Sequence, residues 1–158
     1  MRRVLIGLLL MGVATSAHAA QSLALFPFEL VNTSLEGTRP DEQSRLAMVD
    51  EVTRQRFLEA GLVPVDLRPF EAELDGIRSL RSCNCCDRSL AAGLGADFAV
   101  VGWVQKVSNL ILNINLQVRD VATGKTVAAG SVDIRGNTDE SWRRGVEYLL
   151  EHRILPQP

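Results

Sequence analysis

Histidine is nearly absent from this chain of 158 residues, which holds only His18 and His152. His18 lies in an apolar leader, so an exported form keeps one imidazole, close to the C-terminus. A Ser-His-Asp or Cys-His pair needs its histidine beside the nucleophile and a third group to hold it. One terminal histidine is a poor candidate for that work. Histidine-rich zinc and haem sites are excluded on the same count, and no C-x-x-C-H occurs. G-x-S-x-G, the P-loop and the dinucleotide fingerprint are also missing. The carboxylates are scattered over helix surfaces and turns, not paired as glycoside hydrolysis requires. Positive charge is not in excess, since 17 Lys and Arg face 19 Asp and Glu. Arg2 and Arg3 belong to the leader, so the exported chain is the more acidic. That balance gives no electrostatic reason to expect nucleic acid or an anionic membrane surface. Beyond the leader there is no long apolar run, no repeat and no low-complexity segment. These absences point away from an enzyme, and no cofactor or metal is called for.

The leader itself is well formed. Arg2 and Arg3 precede V-L-I-G-L-L-L-M-G-V-A, and T-S-A-H-A-A follows with small residues at Ala17 and Ala19. This is the basic, apolar and A-x-A order of a cleavable secretory signal. Cleavage is expected after Ala19, by the general secretory route, with twin-arginine export as the alternative for the Arg2-Arg3 pair. No cysteine stands at the cleavage site to carry a lipid. Residues 20–158 are long enough for one domain with its own core.

Periodicity orders that domain. Residues 22–30, S-L-A-L-F-P-F-E-L, form a strand with Leu23, Leu25, Phe26 and Phe28 as core candidates. Pro27 marks an edge, a bulge or a strand end. Residues 31–40 read as a loop. A helix over 41–60 starts on Asp41 and Glu42, which suit its dipole, and stops at Gly61. L-V-P-V-D-L at 62–67 is a short strand, so strand, helix and strand favour a parallel crossover. The spacing of Phe70, Leu74, Ile77 and Leu80 predicts a second helix over 70–81. Asp87 opens a short helix closed by Gly95. F-A-V-V-G-W-V is apolar nearly throughout, as in the middle of a sheet. Residues 110–120 alternate strictly. Leu110, Leu112, Ile114, Leu116 and Val118 face one way, and Ile111, Asn113, Asn115, Gln117 and Arg119 the other. The turn D-V-A-T-G-K returns the chain through T-V-A-A-G-S-V-D-I. Asn137 is a candidate N-cap, with Glu140 three residues on, for a last helix carrying Trp142, Val146, Leu149 and Leu150. The tail L-P-Q-P is expected to fray. The expected fold is α/β (α+β): a single mixed sheet of about five strands in the order β-α-β-α-(short α)-β-β-β-α, with helices mainly on one face.

L-G-A-D-F-A-V-V-G-W-V followed by alternating strands and D-V-A-T-G-K resembles the TolB amino-terminal domain and CsgG-like outer-membrane assembly proteins. F-P-F-E-L, G-W-V-Q-K-V-S-N-L-I-L-N-I-N-L and G-N-T-D-E-S-W-R-R resemble, over most of residues 22–151, an uncharacterised family of small exported bacterial proteins. The resemblance implies a bacterial periplasmic protein with a mixed sheet. It raises the expectation of contact with another periplasmic or outer-membrane-associated protein, and it transfers no catalytic residue.

Three groups of residues remain as candidate sites. The three cysteines stand together in S-C-N-C-C-D. In an oxidising compartment a disulfide is expected. Cys83–Cys86 closes most easily, whereas Cys85–Cys86 is vicinal and Cys83–Cys85 makes a tight ring, so Cys85 is left as the spare thiol. Redox work at a helix N-terminus, Cu(I) binding by three thiolates and pairing between chains through Cys85 are the alternatives. The amide row Asn113, Asn115 and Gln117, with Arg119, suits a protein partner or a polar ligand, and equally the wet side of a sheet. Lys106, Ser108 and Asn109 extend it if they share that side. Trp103 joins it as an anchor if Phe98, Val100, Gly102 and Val104 point inward. Asn137 marks a possible binding turn, with a ligand pocket between it and the Asn32–Arg39 loop, although capping alone accounts for it. The leading expectation is an exported accessory or assembly protein that binds another protein and catalyses nothing. Thiol-dependent redox or copper handling at Cys83, Cys85 and Cys86 is the alternative.

Overall fold

The structure is a computed structural model in which residues 20–155 are described; the leader at 1–19 and the last three residues of the tail lie outside them. One sheet contains β1 (Ser22–Leu25), β2 (Glu29–Asn32), β3 (Val63–Pro64), β4 (Phe98–Lys106), β5 (Ile111–Asp120) and β6 (Thr126–Arg135). Their order is β3-β1-β4-β5-β6, and β2 pairs with β4 beyond the end of β1. β1 runs parallel to β3 and β4, and β2 parallel to β4; β5 is antiparallel to both β4 and β6. The helices are α1 (Pro40–Glu59), α2 (Glu71–Asp75), α3 (Cys86–Gly93) and α4 (Asp139–Leu149), the last running into a π-helical turn, Leu150–Ile154. The expected mixed sheet is present, and it counts six strands because the first one is broken.

The break is a bulge written by F-P-F. Leu25 lies opposite Val100, but Glu29 lies opposite Trp103, so three residues of one strand face two of the other. The extra residue resets the alternation. Before it, Leu23 and Leu25 face one core and Ala24 and Phe26 the other; after it, Phe28 and Leu30 rejoin the first. Pro27 has no N–H to leave unpaired, and the Phe28 N–H donates to Asp50 Oδ1 at 2.8 Å instead of to the sheet. The Phe28 ring then lies on Gly102, where a Cβ would sit 2.3 Å from the ring. Only glycine permits that approach.

Two cores flank the sheet. The larger joins Leu46, Val49 and Phe57 of α1 and Trp142, Val146 and Leu149 of α4 to Val100, Val104, Leu112, Ile114 and Leu116. The smaller, on the opposite face, joins Phe26, Ala99 and Val101 to Leu80, Leu90 and Ala91, with Phe70, Leu74 and Ile77 packed around them. The long helices therefore share one face, and the short ones cover half of the other.

Three local expectations need correction. The helix over 70–81 ends at Asp75. Glu29 explains the early stop, because its carboxylate accepts from the Leu80 N–H and the Ser79 hydroxyl, both at 2.6 Å, and holds that backbone in a turn. The apolar spacing is nonetheless used, since Phe70, Leu74, Ile77 and Leu80 all join the smaller core. Leu110 is not an inward strand residue but is 73% exposed in the β4–β5 turn. There Ser108 Oγ accepts the N–H groups of Leu110 and Ile111 and delays the strand. The cap of α4 is Thr138, whose hydroxyl accepts from Ser141 N–H at 3.2 Å, and not Asn137.

Candidate functional site

The cysteine turn sits on the half-covered face. Cys83 and Cys86 form a disulfide with S–S 2.07 Å and Cα–Cα 5.8 Å. Both pack against the smaller core. Cys85 is free and exposed, and its backbone takes φ 67° where it caps α3. With two sulfurs joined, three thiolates are not available together. Among the described residues no group of three or more His, Cys, Asp or Glu is placed to hold a metal ion.

The amide face is divided by what covers it. At one end Asp87, buried in the first turn of α3, pairs with Arg119 at 3.4 Å. Arg119 is thus engaged beneath α3 and is not free for a partner. In the middle, the polar side chains are satisfied within the sheet, two of them across strands. Asn113 donates to Ser131 Oγ and Asp133 Oδ1, Gln117 donates to Thr126 Oγ1 at 2.6 Å, and Asn115 donates to the Asn113 carbonyl. At the open end Trp103 lies opposite Asn115, and Gln105 opposite Asn113. Trp103 is half-buried, with the Arg81 guanidinium 5.7 Å from its ring centroid. Arg81 lies in the turn just before the stapled loop, and it sets a cation over the tryptophan. The same face ends in Val107 and Ile111, exposed by 48% and 45%.

Lys106, expected to extend that face, lies elsewhere, and it meets Asn137, expected as a separate binding turn, through Glu42. The alternation that turns Val100, Gly102 and Val104 inward carries Lys106 inward as well. Its Nζ meets Glu42 Oε1 at 2.7 Å, both side chains are fully buried, and Nζ also donates to the Gly37 carbonyl. Asn137 Nδ2 donates to Glu42 Oε1 at 2.6 Å, and Asn137 Oδ1 accepts from Trp142 Nε1 and from Arg45. Arg45 in turn pairs with Asp41 and Asp139. Burial works against the Glu42 carboxylate, but Lys106, the Arg39 N–H and Asn137 together hold it below its ordinary range. A buried charge survives only when paired and fully hydrogen-bonded, and this one locks the start of α1, the end of β4 and the start of α4. The same groups tie the Asn32–Arg39 loop to the Asn137 turn, since Lys106 bonds Gly37, and Glu42 bonds both the Arg39 N–H and Asn137. Parity could have flagged Lys106; nothing local in the sequence names Glu42 as its partner. Arg81 carried no motif, and the family-like stretches that contain Glu29, Val107 and Ile111 did not mark their roles.

A cavity of about 700 Å³ opens at the far end of the larger core, lined by Phe57, Leu62, Phe98, Val118, Ile154 and Leu155 among others. Its polar lining residues are Gln21 and Arg153, which supply neither a nucleophile nor a general base. Among the described residues no helix is long and apolar enough to cross a membrane.

These features define a class: a small α+β domain whose mixed sheet is covered on one face and half open on the other. The chain belongs to the family described as "Protein of unknown function (DUF2380)", which matches residues 21–154. No curated protein matches it. Among solved structures, a variant PelC dodecamer from Paraburkholderia phytofirmans has a similar fold, with TM-score 0.50 and 11% identity over 83% of this chain and 86% of that one. The LpoB C-terminal domain from Salmonella enterica is similar at TM-score 0.48 and 13% identity, covering 77% and 87%. TolB from Acinetobacter baumannii is similar at TM-score 0.45 and 10% identity, over 87% of this chain and 30% of TolB. At such identities the likeness is one of fold.

Proposed function

We propose that this chain is an exported periplasmic accessory or assembly protein that binds another protein and performs no catalysis. The observation that supports this is the open end of the second sheet face. Trp103, under Arg81, stands beside Gln105 and Asn115, and Val107 and Ile111 extend the surface with exposed aliphatic groups. A tryptophan and an arginine surrounded by polar and small apolar neighbours have the composition of a binding hot spot. The export leader supports the location. A thiol-dependent role is the second reading, and its one support is the exposed sulfur of Cys85.

A photoreactive residue at Gln105, introduced in cells that make the full-length protein, is expected to capture one discrete partner. The same residue at Glu51, on the solvent side of α1, should capture none. Trp103→Ala and Ile111→Asp should each abolish the adduct; an adduct that survives both would remove the sheet face as the site. If Cys85→Ser leaves the cellular role intact, the thiol reading fails.

A further inference from the structure

β6 is a long and bare sheet edge. Among the described residues it pairs on one side only, with β5. It has ten residues, lacks proline, and carries no charge before Asp133. Soluble proteins blunt such edges with proline, charge or a covering segment, because an open edge presents a row of unpaired N–H and C=O groups. Among the described residues such devices are confined to its two ends, the irregularity opposite Val118 and Arg119 at one and Asp133 with Arg135 at the other. A row of alternating backbone donors and acceptors is matched by another extended strand. Beside the edge, α4 and β6 form a cleft of about 450 Å³ lined by Val132, Arg135, Glu140, Arg144 and Tyr148 among others. Two large apolar side chains are exposed along this strip, Val127 by 55% and Tyr148 by 48%. The Tyr148 ring is held edge-on against His152, with centroids 4.4 Å apart.

We propose that β6 pairs antiparallel with β6 of a second copy of this chain, about a two-fold axis near the middle of the strand. Three observations favour a second copy as the occupant. The edge at the other end of the sheet, β3, has two residues, so a ten-residue edge finds a partner of equal length in itself. An antiparallel strand pair is self-complementary, and an isologous contact closes at two copies, leaving no long edge exposed. The flank carries both signs of charge, Asp133 and Glu140 with Arg135 and Arg144, so two copies meet without net repulsion. Tyr148 lines the cleft beside Val132, and the axis brings the Tyr148 side chains of the two copies together. The strip is about 34 Å long and roughly 15 Å wide, one strand plus one helix. That area is at the small end of specific interfaces, so the dimer should dissociate on dilution. This contact uses a different surface from the Trp103 face and does not depend on the binding role proposed above.

The test is sedimentation velocity over a concentration series, on protein purified after expression of the full-length sequence. A monomer–dimer equilibrium is expected. Ser131→Lys, on the exposed side of β6, and Tyr148→Asp, on the outside of α4, should each give a monomer that still unfolds cooperatively. In a Cys85→Ser background, single cysteines at Ala129, Ser131 and Asp133 should give oxidised dimers with one maximum near the axis, and Glu51→Cys should give none. A protein that stays monomeric at the highest concentration reached overturns the proposal. So does an assembly larger than a dimer, a dimer that both charge variants leave intact, or one that Trp103→Ala dissolves.

Discussion

The Phe28 N–H, displaced from the sheet by the bulge, is received by a single side chain, Asp50 of α1. Burial pushes the Asp50 carboxyl from 3.8 up to about 6, against the pull of the Phe28 N–H and the Arg54 charge. A raised carboxyl means that the native state holds a proton the unfolded chain has released. Stability should therefore fall as pH rises from about 4 to about 6 and level off above that. Asp50→Asn keeps an acceptor for Phe28 and removes the buried charge. It should melt higher than the parent at neutral pH and lose the slope between pH about 4 and about 6. A parent whose melting temperature climbs across that interval would contradict the assignment. Glu42 acts in a separate window: its carboxyl is held below 4.5, so its contribution is present above that value and is lost only in stronger acid.

Among the elements, the β1–β2 lane is the one the sequence describes least completely. F-P-F announces an interruption through Pro27, but not that the strand resumes in the same lane one residue out of step. That outcome needs the Phe28 ring to find Gly102 of β4, beyond five intervening strands and helices. Gly102→Ala should accordingly destabilise the domain by about 1–3 kcal/mol, the range for overpacking a close contact. Gly37→Ala, where a new Cβ has nothing within 4 Å, should stay within about 0.5 kcal/mol, as surface changes usually do. Urea unfolding of the two variants decides it, and equal midpoints would show that the ring moves aside freely. The helix expected over 70–81 failed for a related reason. Its apolar spacing was real, but Glu29 on a distant strand captured the Leu80 N–H, and no local pattern can announce a partner about fifty residues away.

In the whole molecule, two cores of unequal size share one sheet, and the smaller is closed by a loop that the Cys83–Cys86 disulfide staples. A loop this short yields roughly 2 kcal/mol in the chain-entropy treatment. Cys83→Ser with Cys86→Ser should lower the melting temperature without abolishing folding, and hydrogen exchange should quicken over residues 76–95 while α1 stays protected. Uniform loss of protection would instead mean that both cores open as one unit. Periodicity, turn chemistry and cysteine spacing act over a few residues, so the mixed fold, the parallel start and antiparallel finish, the faces of β5 and the pairing of the staple were all legible before folding was considered. The tertiary structure alone decided which polar side chains are left for a partner. Lys106, Arg119 and Asn137 read as candidates for a partner, and each is taken by charged side chains from elsewhere in the chain: Glu42, Asp87, and Glu42 with Arg45. Such pairings form only when distant segments meet, which is why the candidate surface contracts to Trp103, Gln105, Val107, Ile111 and Asn115.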